Sequence, residues 1–245
     1  MPNITDTVTT ADGSAPIRLF TPEGQGPWPG IVMIPDAGGT RQTFFDMAAR
    51  LADLGYAVLL PDIYYRQGDW APFDMQTAFS DDNERNRLMS FIGSISPDDW
   101  ASDANAYFDY LAARPEISGS TFGITGYCMG GRASLIIAGR VPERVAAATA
   151  FHGGGLVTDG SDSPHLKADQ IQAEVYIGGA QNDGSFTDDH AEQLEKALTA
   201  ADVRHTIETY PAAHGYAVPD NRSYDADAAE QHWTAMRDVF AANLK

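Results

Sequence analysis

The sequence contains a single cysteine, Cys128, among 245 residues. No disulfide can form within the chain, so a hydrophobic core has to supply its stability, and a reducing, cytoplasmic setting suits a free thiol. Positive charge is scarce as well: 16 Lys and Arg against 34 Asp and Glu give a net charge of −18. Nucleic acid and anionic membrane surfaces are poor partners for such a chain, because both are bound by clustered cations. No run of apolar residues approaches the length that spans a bilayer. Residues 1–10 lack the basic and apolar regions of a secretory signal, so none is expected. Metal-ligand spacings such as HExxH or CxxC are missing, as is the Lys-Ser or Lys-Thr that completes a phosphate-binding loop. Neither a metal nor another cofactor is expected.

What is present is enough for a sizeable core. The chain is 43% apolar, and its length fits one α/β domain spanning residues 1–245. Residues 4–9 and 15–21 flank Asp12-Gly13, a hairpin signal. Short apolar, β-branched stretches at residues 30–34, 56–60, 121–125, 144–151, 173–177 and 203–210 read as buried strands. Between them lie helical spacings through about Leu54, from Ser96-Pro97-Asp98-Asp99 to Pro115, after the elbow described next, and over residues 188–200. A last helix covers about 225–244. Residues 63–94 are irregular and aromatic, in the manner of a lid or pocket wall. Strands alternating with helices imply a mostly parallel sheet covered on both faces.

The chain is organised around Gly126-Tyr127-Cys128-Met129-Gly130-Gly131. A strand precedes it and a helix follows, so a nucleophilic side chain stands at the apex of a sharp turn. This is the G-x-S-x-G elbow with sulfur in place of oxygen, and the glycines leave room for strand and helix to approach it. A lone cysteine is commonly an inert small hydrophobe; the strand-turn-helix setting points instead to a nucleophile, with the helix N-terminus favouring thiolate.

A nucleophile needs a base, and the base needs an orienting group. In the α/β-hydrolase arrangement these follow in the order nucleophile, acid, histidine, each after a strand. Cys128, Asp183 and His214 meet that order. Asp183 could equally be a turn former before Gly184, whereas Asp188 and Asp189 look like helix-start residues. Of six histidines, His214 alone occupies a late loop after a strand, flanked by small residues. The backbone N–H groups of Ala37, in the turn after an early strand, and of Met129 would form the oxyanion hole. His152-Gly153-Gly154-Gly155 follows the nucleophile and so reads as a strand exit, with His152 at the border of the pocket.

With these residues in place the chain resembles the dienelactone hydrolases (carboxymethylenebutenolidases) of the α/β-hydrolase superfamily. The resemblance rests on the cysteine elbow, on Pro61-Asp62-Ile63-Tyr64-Tyr65-Arg66, on Asp183, and on His214-Gly215-Tyr216. It implies an α/β-hydrolase fold and a Cys-His-Asp triad that opens a small-molecule lactone or ester through an acyl-thiol intermediate, without a cofactor. It also implies that Asp36 stands where the family has a thiol-modulating glutamate, and that Arg87 and Tyr64 help bind the substrate. The family's second carboxylate-binding arginine falls four residues after the histidine, where this chain has Val218, leaving Arg66 or Arg85 as substitutes. Thioesterase or acyltransferase chemistry with the same triad stays open, as does a non-catalytic binding protein. A monomer or small homo-oligomer is expected.

Overall fold

The computed structural model describes residues 2–245. A hairpin of β1 (Asn3–Thr10) and β2 (Gly13–Phe20) turns at Asp12-Gly13, as its sequence predicts. Then follow β3 (Trp28–Ile34), α1 (Gln42–Asp53), β4 (Ala57–Pro61), α2 (Asp82–Ile92), α3 (Pro97–Ala112) and β5 (Ile117–Tyr127). The second half is α4 (Met129–Arg140), β6 (Val145–Phe151), β7 (Glu174–Ala180), α5 (Asp188–Ala200), β8 (His205–Tyr210) and α6 (Ala226–Asn243). All eight strands form one sheet in the order β1-β2-β4-β3-β5-β6-β7-β8. The first two pairings, β1 with β2 and β2 with β4, are antiparallel, and the rest are parallel. This is an α/β-hydrolase fold.

Side-chain alternation divides the core. Val32, Ile34, Leu59 and Ile124 face α3, α4 and α5, whereas Ile31, Met33, Val58 and Leu60 face α1 and α6. Strands buried on both faces read as continuous apolar runs for this reason. Helix α3 opens with a capping box: Ser96 Oγ accepts from Asp99 N–H, and the Asp99 carboxylate accepts from Ser96 N–H. Its Trp100, Ala104, Tyr107, Phe108 and Leu111 are buried, and Phe108 stacks on Phe122 at 5.4 Å. Removing each such side chain from water is worth about 1.5–3 kcal/mol.

The structure corrects the reading of residues 63–94 as irregular throughout, because α2 lies within them. Of its residues only Leu88 is buried, so no apolar stripe marked it. Its start is set locally by Asp81, whose carboxylate accepts from Asn83 and Glu84 N–H. Strand β7 also runs on through Gly178-Gly179-Ala180, past the strand expected at residues 173–177. The loop after β6 contains a short 3₁₀ turn at Pro164–Gln170. Among the described residues no helix is long and apolar enough to cross a membrane.

Candidate active site

Strand β5 enters α4 through Cys128, whose φ of 54° and ψ of −118° lie where side-chain-bearing residues rarely go. Its own backbone is held at both ends. The N–H donates to the Phe151 carbonyl at 3.1 Å, and the carbonyl accepts from Gly131 and Arg132 N–H at 3.0 and 3.3 Å. The flanking glycines are required by close approach. A Cβ on Gly126 would collide with the Gly130 carbonyl, and one on Gly130 with the carbonyls of Ile34 and Pro35. Gly126→Ala is therefore expected to destabilise the fold by about 1–3 kcal/mol or more, the range for overpacking against backbone that cannot yield. A urea midpoint equal to that of the wild type would show that the elbow is looser than this geometry.

The loops after β7 and β8 bring Asp183 and His214 together. His214 Nδ1 lies 2.7 Å from Asp183 Oδ2. The other carboxylate oxygen accepts from the Ser185 N–H at 2.8 Å and from its hydroxyl at 2.6 Å. Burial pushes the Asp183 pKa up, but the bonds from His214 and Ser185 outweigh it and bring it down to about 2. For His214 burial acts downward, and the Asp183 carboxylate with the neighbouring Cys128 sulfur raises its pKa to about 10. The carboxylate thus orients the imidazole and favours its charged form. Ser185 was not evident from chain order; the available signal was an Asp followed two residues later by a serine, a local side-chain turn.

In the turn after β3, the Asp36 carboxylate accepts from Gly38 N–H at 2.9 Å. The Tyr64 hydroxyl donates to the Ala37 carbonyl at 2.8 Å and lies 3.6 Å from Met129 Sδ. Tyr64 is buried, and desolvation together with nearby Asp36 and Cys128 holds its hydroxyl protonated. The Ala37–Gly38 peptide is thus fixed from both sides. Met129 opens α4, where the first amide groups have no helical acceptor.

Other candidates are placed differently. Asp36 is 3% exposed, with both oxygens bonded to Arg41 at 2.7 and 3.0 Å; among the described residues no hydrogen bond joins it to Cys128. Arg87 lies over the Phe73 ring at 3.8 Å and donates to the Ala71 carbonyl and the Glu84 carboxylate. Arg66 is committed to Asp103 and Asp12, and Arg85 to Asp82. Val218 is fully buried among the side chains facing α1 and α6, so a cation could not be seated there without repacking. Asp188 and Asp189 are first-turn residues of α5, as their sequence context predicts. His152 is 1% exposed with φ of 39°, and its ring meets that of His214 edge to face at 5.1 Å. Burial first, then His214 and His232, keep it neutral.

Ala37, Tyr64, Cys128, His152, Asp183 and His214 all follow the carboxyl ends of sheet strands, where open α/β sheets place their ligands. A cleft of about 480 Å³ opens beside Asp183 and His214, lined in part by Gln181, Asn182, Ala213 and Ser223. The larger groove of about 1100 Å³, between β8 and α6, carries none of these residues. Among the described residues no group of His, Cys, Asp and Glu could hold a metal ion.

Residues 16–244 match the Dienelactone hydrolase family. A Synechocystis sp. protein provisionally named carboxymethylenebutenolidase is 29% identical over 231 residues, covering 93% of this chain and 91% of that one. The crystal structure of a provisionally assigned dienelactone hydrolase from Klebsiella pneumoniae superposes with a TM-score of 0.82 at 26% identity, covering 98% and 99% of the two chains. A dienelactone hydrolase-like promiscuous phosphotriesterase from metagenomic libraries gives a TM-score of 0.80 at 26% identity, with both chains fully covered.

Proposed function

Because the chain belongs to the dienelactone hydrolase family of lactone- and ester-cleaving hydrolases, we propose that it cleaves a carboxylic ester or lactone through an acyl-thioester on Cys128. The observation that carries the reading is the 2.7 Å bond between His214 Nδ1 and Asp183. It leaves Nε2 as the nitrogen able to exchange a proton with sulfur, substrate and water. Cys128 attacks the carbonyl carbon as thiolate, and the oxyanion that forms accepts hydrogen bonds from the Ala37 and Met129 N–H groups. Collapse breaks the carbon–oxygen bond, and His214 protonates the departing alkoxide.

Acylation then changes the base. Part of the upward shift of His214 comes from the Cys128 sulfur, and a thioester carries no charge. The imidazole becomes easier to deprotonate at the stage when it has to take a proton from the attacking water. Water adds to the thioester carbonyl, the acid is released, and the thiolate–imidazolium pair returns.

The surroundings favour neutral substrates. Arg87 and the other candidate cations are bonded to carboxylates or a carbonyl. A neutral lactone or ester is expected to show a kcat/KM at least equal to that of its carboxylate-bearing analogue. A tenfold or greater preference for the anion would mean that one of these arginines is released to the substrate. The same assay, extended to a thioester and a phosphotriester, tests the reaction type: ester or lactone turnover that disappears with Cys128 supports hydrolysis, and no turnover of any of them refutes it.

A further inference from the structure

Arg41 stands just ahead of α1 with its side chain only 10% exposed. All five of its N–H directions are used. Nη1 donates to Asp36 Oδ1 at 2.7 Å and to the Gly39 carbonyl at 3.1 Å, and Nη2 to Asp36 Oδ2 at 3.0 Å. Nε and Nη2 also reach the two oxygens of Asp220, at 2.7 and 2.8 Å. One guanidinium therefore joins two loops that are 179 residues apart at Arg41 and Asp220. The first loop carries the Ala37 N–H, directly after Asp36. The second carries His214, and between it and Asp220 the backbone is locked by Tyr216 N–H to Ala213, Val218 N–H to Gly215 and Asn221 N–H to Val218. Gln76, from the segment before α2, donates to the Asp220 carbonyl at 2.6 Å and adds a third strut.

We propose that Arg41 is a positioning residue: by bridging Asp36 and Asp220 it holds the oxyanion amide of Ala37 in register with His214. This rests on the ester-hydrolysis reading above. An oxyanion donor acts only when it lies about 2.7–3.1 Å from the oxygen that becomes charged, and misplacement by about 1 Å costs on the order of 10²-fold. A planar fork can serve two carboxylates at once; a lysine ammonium is a point charge that cannot reproduce that geometry. Without the fork, the buried Asp36 and the half-exposed Asp220 would face each other with no cation between them, and the two loops would separate.

The test compares wild type with Arg41→Lys, Asp220→Asn and the double variant on one neutral activated ester, with thermal unfolding measured in parallel. Each single variant is expected to lose roughly 10- to 100-fold in kcat with KM changed by less than about threefold, and the double variant to be no slower than the worse single one. A lowered melting temperature with kcat intact would overturn the proposal, leaving Arg41 as a structural pin. So would a raised KM with kcat intact, which would make it a substrate ligand. Should Arg41→Lys fail to fold, Asp220→Asn, at a half-exposed position, decides alone by the same criteria. Cys128→Ala is run alongside: activity surviving in it would refute the hydrolysis reading rather than the role of Arg41.

Discussion

A Cys128→Ala variant is expected to lose roughly 10⁴- to 10⁶-fold in turnover of an activated ester, the usual scale for removing a nucleophile whose partners act as a unit with it. Folding should be untouched. Alanine is smaller than cysteine, and the bonds that fix the turn are made by backbone groups of residue 128. The positive φ is the same for both side chains, so no new strain is introduced. Pre-steady-state mixing of the wild type with a slow ester should give a burst, and intact-protein mass spectrometry should place the acyl group on Cys128. An adduct elsewhere, together with activity surviving the alanine variant, would remove sulfur from the mechanism. No burst and no turnover in the wild type would leave a binding protein with a hydrolase fold.

His214→Ala is the second large effect, with several orders of magnitude expected in kcat/KM because sulfur, leaving group and water all lose their proton carrier. Asp183→Asn should be nearly as severe, since an amide can present the wrong hydrogen-bonding group to Nδ1 and leave the wrong tautomer. Asp188→Asn should be mild, as that residue sits at the helix start. The two aspartates exchanging these outcomes would reassign the acid. The same pair predicts a pH signature in stability. His214 is raised from its ordinary 6.5 to about 10, so its contribution is full below 6.5 and is lost as pH rises through 10. Asp183 is lowered from 3.8 to about 2, so its contribution is full above 3.8 and is lost as pH falls through 2. Both describe one ion pair and count once. The stability difference between wild type and Asp183→Asn should be widest between about pH 4 and 6.5 and shrink on either side; a flat difference across chemical denaturation series from pH 3 to 10 would refute the pairing.

Legibility in the sequence tracked how local the cause was. The hairpin turn at Asp12-Gly13, the capping box at Ser96, and the buried parallel strands all follow from residues within one element. Asp183 and His214 were readable because chain order and a preceding strand place them, and the structure brings them into one hydrogen bond. Helix α2 was silent because a helix with one buried residue has no apolar period to detect. Arg41 was hidden for a different reason. A cation next to a helix start looks solvated, and nothing in sequence pairs it with Asp220 so far along the chain. Nor did Arg87 announce that Phe73 and Glu84 would occupy it, or Val218 that it would be sealed in the core; such facts belong to packing between elements.

The half-buried free thiol at the elbow has no second sulfhydryl in the chain. Any sulfenic acid formed there by peroxide lacks an internal resolving thiol, so it either captures an external one as a mixed disulfide or proceeds to sulfinic acid, which ordinary reductants do not reverse. The same solitude makes the residue a counting device. A thiol reagent adds at most one equivalent per folded chain, and the shortfall from one, before and after treatment with dithiothreitol, divides a preparation into native, recoverable and dead molecules. Specific activities referred to that titre, rather than to total protein, put variants purified on different days on a common scale.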